Sequence, residues 1–155
     1  MIIRLGDFNI TINSGIIFPL LILIPNLVWM IMPKPESIPT SEEPVLLTII
    51  ENIGRFATLL IPLFYAVQWQ KKFTIPVLAV MTILLLIYYS AWMRYFIHQR
   101  EVEWLSKSLF GIPLPLAVAP SLFFILSSYL LDSWWMLAAS VLFGISHVWI
   151  TYLTA

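Results

Sequence analysis

The sequence predicts an all-α membrane protein, a polytopic bundle of five transmembrane helices with a short helical or interfacial segment between the third and fourth. Three observations predict this class. Hydrophobic residues make up 61% of the 155 residues. Charged residues make up 10%, against about 25% in soluble domains. The apolar residues are also gathered into stretches long enough to cross a bilayer. The five predicted spans are 15–32, 44–67, 75–93, 113–131 and 134–154.

Residues 2–13, before the first span, alternate weakly between apolar and polar side chains. Phe8, Ile10 and Ile12 are separated by Asn9 and Thr11, a pattern typical of an interfacial strand or coil. Because open strand edges are not tolerated in lipid, this segment is expected at the membrane surface or against protein. No basic segment leads directly into an apolar signal sequence, so the first span is expected to remain as an anchor.

Prolines and a short polar turn mark the ends of the spans. Pro33 and Pro35 stop the first span, because proline cannot continue a helix. Pro44 is well placed to start the second span, and Asp132 with Ser133 forms a tight connection between the last two. No internal repeat and no soluble region is visible. The whole chain, 1–155, is therefore predicted to be a single transmembrane domain.

The segment 94–112 differs from the spans because it mixes charged and apolar residues. Glu103 and Lys107 are four residues apart, the spacing at which side chains pair on a helix. Gly111 is followed closely by Pro113, which is a helix stop signal. We therefore predict a helical extension or a short helix lying in the membrane interface.

The second span carries charged and polar residues in the middle of a hydrocarbon-length sequence. Glu51 and Arg55 are four residues apart, in the order that favours an intrahelical ion pair. Charged groups at this depth are unfavourable in lipid and are functional candidates. At 100° per residue the polar side chains share one stripe. This stripe comprises Thr48, Glu51, Asn52, Arg55, Thr58 and Pro62.

Depth from one membrane face brings polar positions of all five spans into one layer. Depth is counted here from the membrane face that residues 33–43, residues 94–112 and the C-terminus share. Most of the polar positions lie roughly 6–11 Å below this face, and Arg55 lies at about 16 Å. The central hypothesis is a polar pocket in this layer, with the 94–112 segment over its mouth. The predicted ligand-binding residues are Asn26, Glu51, Asn52, Arg55, Tyr89 and His147.

Several site classes are excluded or disfavoured by composition. The chain has no cysteine, which excludes disulfides, thiolate catalysis and iron–sulfur clusters. It has two histidines in no metal-binding motif, so neither a metal site nor a haem is predicted, and no cofactor is expected. Eight basic residues balance eight acidic ones, which gives no indication of a nucleic-acid partner.

Three functions remain compatible with this pattern. The first is binding of a small amphipathic or charged molecule or a lipid, with transport as an extension, in which Arg55 holds a carboxylate or phosphate. The second is a non-catalytic accessory or interaction protein whose polar residues are structural. The Glu51 stripe and a stripe with Ser140 and Gly144 would then be helix contacts, one of them with a second copy or a partner membrane protein. The third is an intramembrane enzyme on a lipid, with Glu51 as general acid or base. The first is the preferred hypothesis, and no catalytic residue is assigned.

Orientation has a weak signal in the basic residues. Lys71 and Lys72 lie together in a very short loop, and such residues concentrate on the cytoplasmic side. The expectation is a plasma (inner) membrane protein with a cytoplasmic N-terminus.

Overall fold

The computed structural model describes residues 2–5, 8–11, 13–32 and 44–154, the first two ranges by backbone alone. It confirms a helical membrane bundle. The predicted 33–43 connection lies outside the described residues. The helices are α1 (Ile17–Ile31), α2 (Val45–Leu60), α3 (Thr74–Ile97), α4 (Glu103–Ser106), α5 (Pro115–Leu131) and α6 (Trp134–Thr154).

The N-terminal segment forms an antiparallel hairpin of two short strands, β1 (Ile2–Leu5) and β2 (Phe8–Thr11). Ile3 pairs with Ile10, and Arg4 pairs with Asn9. Of the two alternatives for this segment, strand and coil, the backbone adopts the strand. Pairing satisfies the amide and carbonyl groups along one edge of each strand.

Among the residues that the structure describes, four helical runs are long and apolar enough to cross a membrane: Ser14–Ile31, Val45–Phe64, Thr74–Ile97 and Trp134–Thr154. Helix α5 has 17 residues, which corresponds to about 26 Å and the short end of the range for a span. The third helical run is longer than predicted and reaches Ile97 rather than Met93.

The second span ends three residues before its predicted limit, at Phe64 instead of Val67. Pro62 has no amide hydrogen, and the chain tightens into a 3-10 turn over Ile61–Phe64. Beyond this turn the backbone is extended and bonds to the start of the first helix. The Gly15 amide donates to the Tyr65 carbonyl at 3.1 Å, and the Val67 amide donates to the Ser14 hydroxyl at 2.9 Å.

The connection between α5 and α6 is as tight as predicted. Asp132 adopts the left-handed conformation, with φ at 54°, and the Ser133 amide donates back to the Ser128 carbonyl at 3.1 Å. This arrangement is a Schellman-type helix end. The Ser133 hydroxyl then accepts from the Met136 amide at 3.2 Å and caps the start of α6. One polar dipeptide therefore ends one helix and begins the next.

Helix α5 lies at the centre of the bundle. It packs between α3 and α6, while α1 packs on α3 and α5, and α2 packs on α6. The centre is filled by aromatic rings in edge-to-face contact, such as Phe18 with Phe123 at 6.0 Å and Phe124 with Phe143 at 6.1 Å. The helix order from one side to the other is thus α2, α6, α5 and α3, with α1 beside α3 and α5.

Candidate functional site

The polar stripe of α2 faces α6. Glu51, Gly54, Thr58 and Pro62 are buried along this contact. A side chain at position 54 would not fit, because a Cβ atom there would lie 2.7 Å from the Phe143 amide nitrogen and 2.8 Å from its Cα. The missing side chain of Gly54 therefore lets α2 and α6 approach closely, and this approach brings Glu51 within reach of α6.

The Glu51 carboxylate is the centre of the site. It is buried, with 7% of its side chain exposed, and it forms the predicted ion pair with Arg55. His147 Nδ1 lies 2.9 Å from the same carboxylate oxygen, Oε1. Because an ionised carboxylate only accepts hydrogen bonds, a hydrogen bond here requires the form of His147 that has its proton on Nδ1. Glu51 thus ties its own helix to a residue 96 positions away in the chain.

Both donors contact Oε1, so the second carboxylate oxygen of Glu51 keeps its acceptor capacity among the described residues. The side chain of Arg55 is 46% exposed and that of His147 is 24% exposed. The Phe143 ring stacks on the His147 ring at 4.9 Å and 16°, which restricts its orientation. The site therefore places a half-exposed guanidinium and a partly exposed imidazole beside a buried carboxylate.

Asn26 and Tyr89 belong to a second cluster, between α1 and α3. Pro25 lacks the amide hydrogen that would bond to the Leu21 carbonyl four residues earlier, and the Tyr89 hydroxyl donates to that carbonyl at 2.7 Å. The Asn26 amide donates to the Tyr88 hydroxyl at 2.7 Å. Asn26 therefore bridges α1 to α3. Tyr88 was not singled out as a site residue, because its partner is visible only once α1 is placed against α3.

The six predicted site residues are therefore divided. Glu51, Arg55 and His147 form one cluster between α2 and α6, whereas the described contacts of Asn26 and Tyr89 join α1 to α3. Asn52 is half-buried beside Glu51. Equal depth from one membrane face was the basis for expecting one pocket. Depth does not specify which helices are neighbours, and α6 and α5 lie between α2 and α3.

The 94–112 segment also lies elsewhere than expected. It contains both predicted features, an extension of α3 to Ile97 and the short helix α4, with the Glu103–Lys107 ion pair at 2.9 Å. Helix α4 packs on α3 and α5 rather than on α2, so the expectation that the segment covers the Glu51 cluster is not met. Arg94 holds the segment in place by donating to the carbonyls of Ser108 at 2.8 Å and Lys107.

Comparisons with protein-family models, curated proteins and solved structures gave no match. Within 13–32 and 44–154, no group of three or more histidine, aspartate or glutamate residues is arranged to hold a metal ion.

Proposed function

We propose that this integral membrane protein binds a small amphipathic molecule with an anionic group, held by Arg55 beside Glu51 and His147. The observation that carries the proposal is a half-exposed guanidinium in the middle of a span, paired with a buried carboxylate. Movement of the bound molecule across the membrane would be an extension of the same function.

The depth of Arg55 supports an anionic ligand. The residue lies ten positions from Val45 and nine from Phe64, the ends of its helical run, so its Cα is roughly 14–15 Å from either end. Water is scarce at such a depth, and an arginine there needs partners for five N–H donors. Glu51 supplies one acceptor atom. A carboxylate or phosphate would satisfy further donors in the bidentate geometry that guanidinium favours.

The test is the set of small molecules and lipids that remain bound through purification. We expect a specific anionic amphiphile in the wild-type protein, reduced at least tenfold in Arg55→Gln. The Lys72→Gln variant, which removes an exposed cation at the end of the bundle, should retain it. Mass spectrometry of extracts from folded protein gives the comparison. Identical extracts from wild type and Arg55→Gln would contradict the proposal.

A structural role is the second candidate, and one observation favours it. Glu51, Gly54 and Thr58 all face α6. In this alternative the cluster has the single role of joining α2 to α6. The protein would then be an accessory protein whose function depends on a second copy or a partner membrane protein. The ligand comparison separates the two proposals, because a purely structural cluster carries no specific molecule.

For location we propose a plasma (inner) membrane with the N-terminus in the cytoplasm. Lys71 donates to the Tyr129 carbonyl at 2.8 Å and pairs with Asp132, whereas Lys72 is exposed. Because the chain has no cysteine, single cysteines at Lys72 and Ser108 report the two membrane faces. An impermeant maleimide should label Ser108→Cys in intact cells, and Lys72→Cys only after permeabilisation. The reverse pattern would contradict this orientation.

A further inference from the structure

A long groove lies between α5 and α6, on a different face of α6 from the Glu51 cluster. Its volume is about 1120 Å³. Val141, Ile145 and Val148 line it from α6, and Leu122 and Ile125 line it from α5. At 100° per residue these α6 positions point away from His147. We propose that this groove is a specific binding site for a bilayer phospholipid, with one hydrocarbon chain lying along it.

The size and lining of the groove fit such a molecule. Its volume lies above the roughly 300–1,000 Å³ typical of pockets for small molecules, which favours a larger ligand. The deep end at Ile125 and Val141 is apolar. The Ser121 hydroxyl, midway along, already donates to the Ala117 carbonyl at 2.7 Å. The described side chains that line the deep half therefore offer a polar ligand no free hydrogen-bond donor.

The groove also has the length and polarity gradient of one leaflet. From Tyr152 to Val141 it extends along eleven residues of α6, or about 16 Å, roughly half of the 30 Å hydrocarbon core. The end of the groove opposite Val141 is bordered by Ser106 and Ser108 of the segment that contains α4. The exposed rings of Trp149 and Tyr152 are of the type that concentrates at the membrane interface. A headgroup at the serines would place its chain along the groove.

A transmembrane helix of a partner fits this groove less well. Helices associate in membranes through small residues that allow close backbone approach. The glycine of the groove, Gly144, is already used inside the chain, because an added Cβ there would lie 3.1 Å from Ser121 Cβ. The outer walls consist of branched and aromatic side chains, such as Leu122, Ile145 and Trp149. This surface suits a flexible chain better than a rigid helix.

The experiment is native mass spectrometry of the purified protein with its retained phospholipid. Val141→Trp, which fills the deep end of the groove, should lower lipid occupancy at least fivefold. The matched control is Val80→Trp on α3, since Val80 is 48% exposed and Val141 is 38% exposed, and only Val141 lines the groove. Val148→Phe tests the same groove in its other half, should Val141→Trp fail to fold.

Three outcomes are distinguishable. Loss of lipid in the groove variants but not in Val80→Trp supports the proposal. Equal lipid retention in all variants overturns it. A change from oligomer to monomer in the groove variants, with lipid unchanged, also overturns it and assigns the groove to a protein partner. The inference is independent of the proposed function, because Arg55→Gln should leave lipid in this groove unaffected.

Discussion

Replacing Glu51 with alanine should lower the free energy of unfolding by about 3 kcal/mol or more. The carboxylate is the shared acceptor of Arg55 and His147, and its removal leaves a guanidinium without its ion-pair partner in the middle of a span. Breaking a buried pair from one side is strongly destabilising for this reason. Arg55→Gln should also be destabilising, since it leaves the buried Glu51 carboxylate with only the contact to His147 Nδ1. Unfolding in detergent, followed by circular dichroism, measures both.

The chain contains a matched control for this effect. Glu103 and Lys107 have the same four-residue spacing, but the Glu103 side chain is 70% exposed, compared with 7% for Glu51. Glu103→Ala should therefore change stability by less than about 1 kcal/mol, as exposed pairs do. The double variant Glu51→Gln/Arg55→Gln should recover much of the loss, because it leaves no unpaired charge. Equal effects of Glu51→Ala and Glu103→Ala would show that burial of the pair has no energetic consequence.

Gly54→Ala should destabilise the protein by about 1–3 kcal/mol, in the range of overpacked cores. In an exposed helix the same change is usually stabilising by roughly 0.5–1 kcal/mol. The sign of the change in stability therefore shows whether position 54 lies in a tight helix contact. The new methyl group would lie 2.7 Å from the Phe143 amide nitrogen and 2.8 Å from its Cα. Backbone atoms cannot rotate away, so α2 and α6 must separate. Their separation would lengthen the 2.9 Å contact between His147 and Glu51.

Gly144→Ala is the graded control for this prediction. Its nearest contact, Ser121 Cβ, is 3.1 Å away, so the neighbouring helix would have to move by only a few tenths of an ångström. The loss should therefore be clearly smaller than for Gly54→Ala. The two are compared by thermal unfolding, with histidine NMR reporting the His147 environment. A larger loss in Gly144→Ala than in Gly54→Ala would place the tightest helix contact at α5–α6 instead of α2–α6.

Most of the helical architecture could be predicted because it depends on local properties. A run of apolar residues must be helical in lipid to satisfy its own backbone groups, and this property located the helices within a few residues. The α5–α6 connection followed from Asp132 and Ser133, whose conformational and capping preferences are also local. The Glu51–Arg55 pair could be predicted because both residues lie one turn apart on one helix.

The candidate site was only partly predictable. Hydrophobicity and depth identified Glu51, Arg55 and His147, and also Asn26 and Tyr89, but these quantities are the same for any order of helices around the bundle. The bond between Glu51 and His147 depends on Gly54 meeting Phe143. The role of Tyr89 depends on α3 lying beside the proline-freed carbonyl of Leu21.

By itself, then, the sequence determined where the helices run, which residues are too polar for lipid and how far each one lies from the end of its helix. Only the tertiary structure decided that Glu51 pairs with His147, that Asn26 and Tyr89 belong to a separate cluster, and that the 94–112 segment borders the α5–α6 groove. The physical reason is that periodicity and hydrophobicity act along one helix. Close packing between helices depends instead on the shapes of surfaces that are distant in the chain.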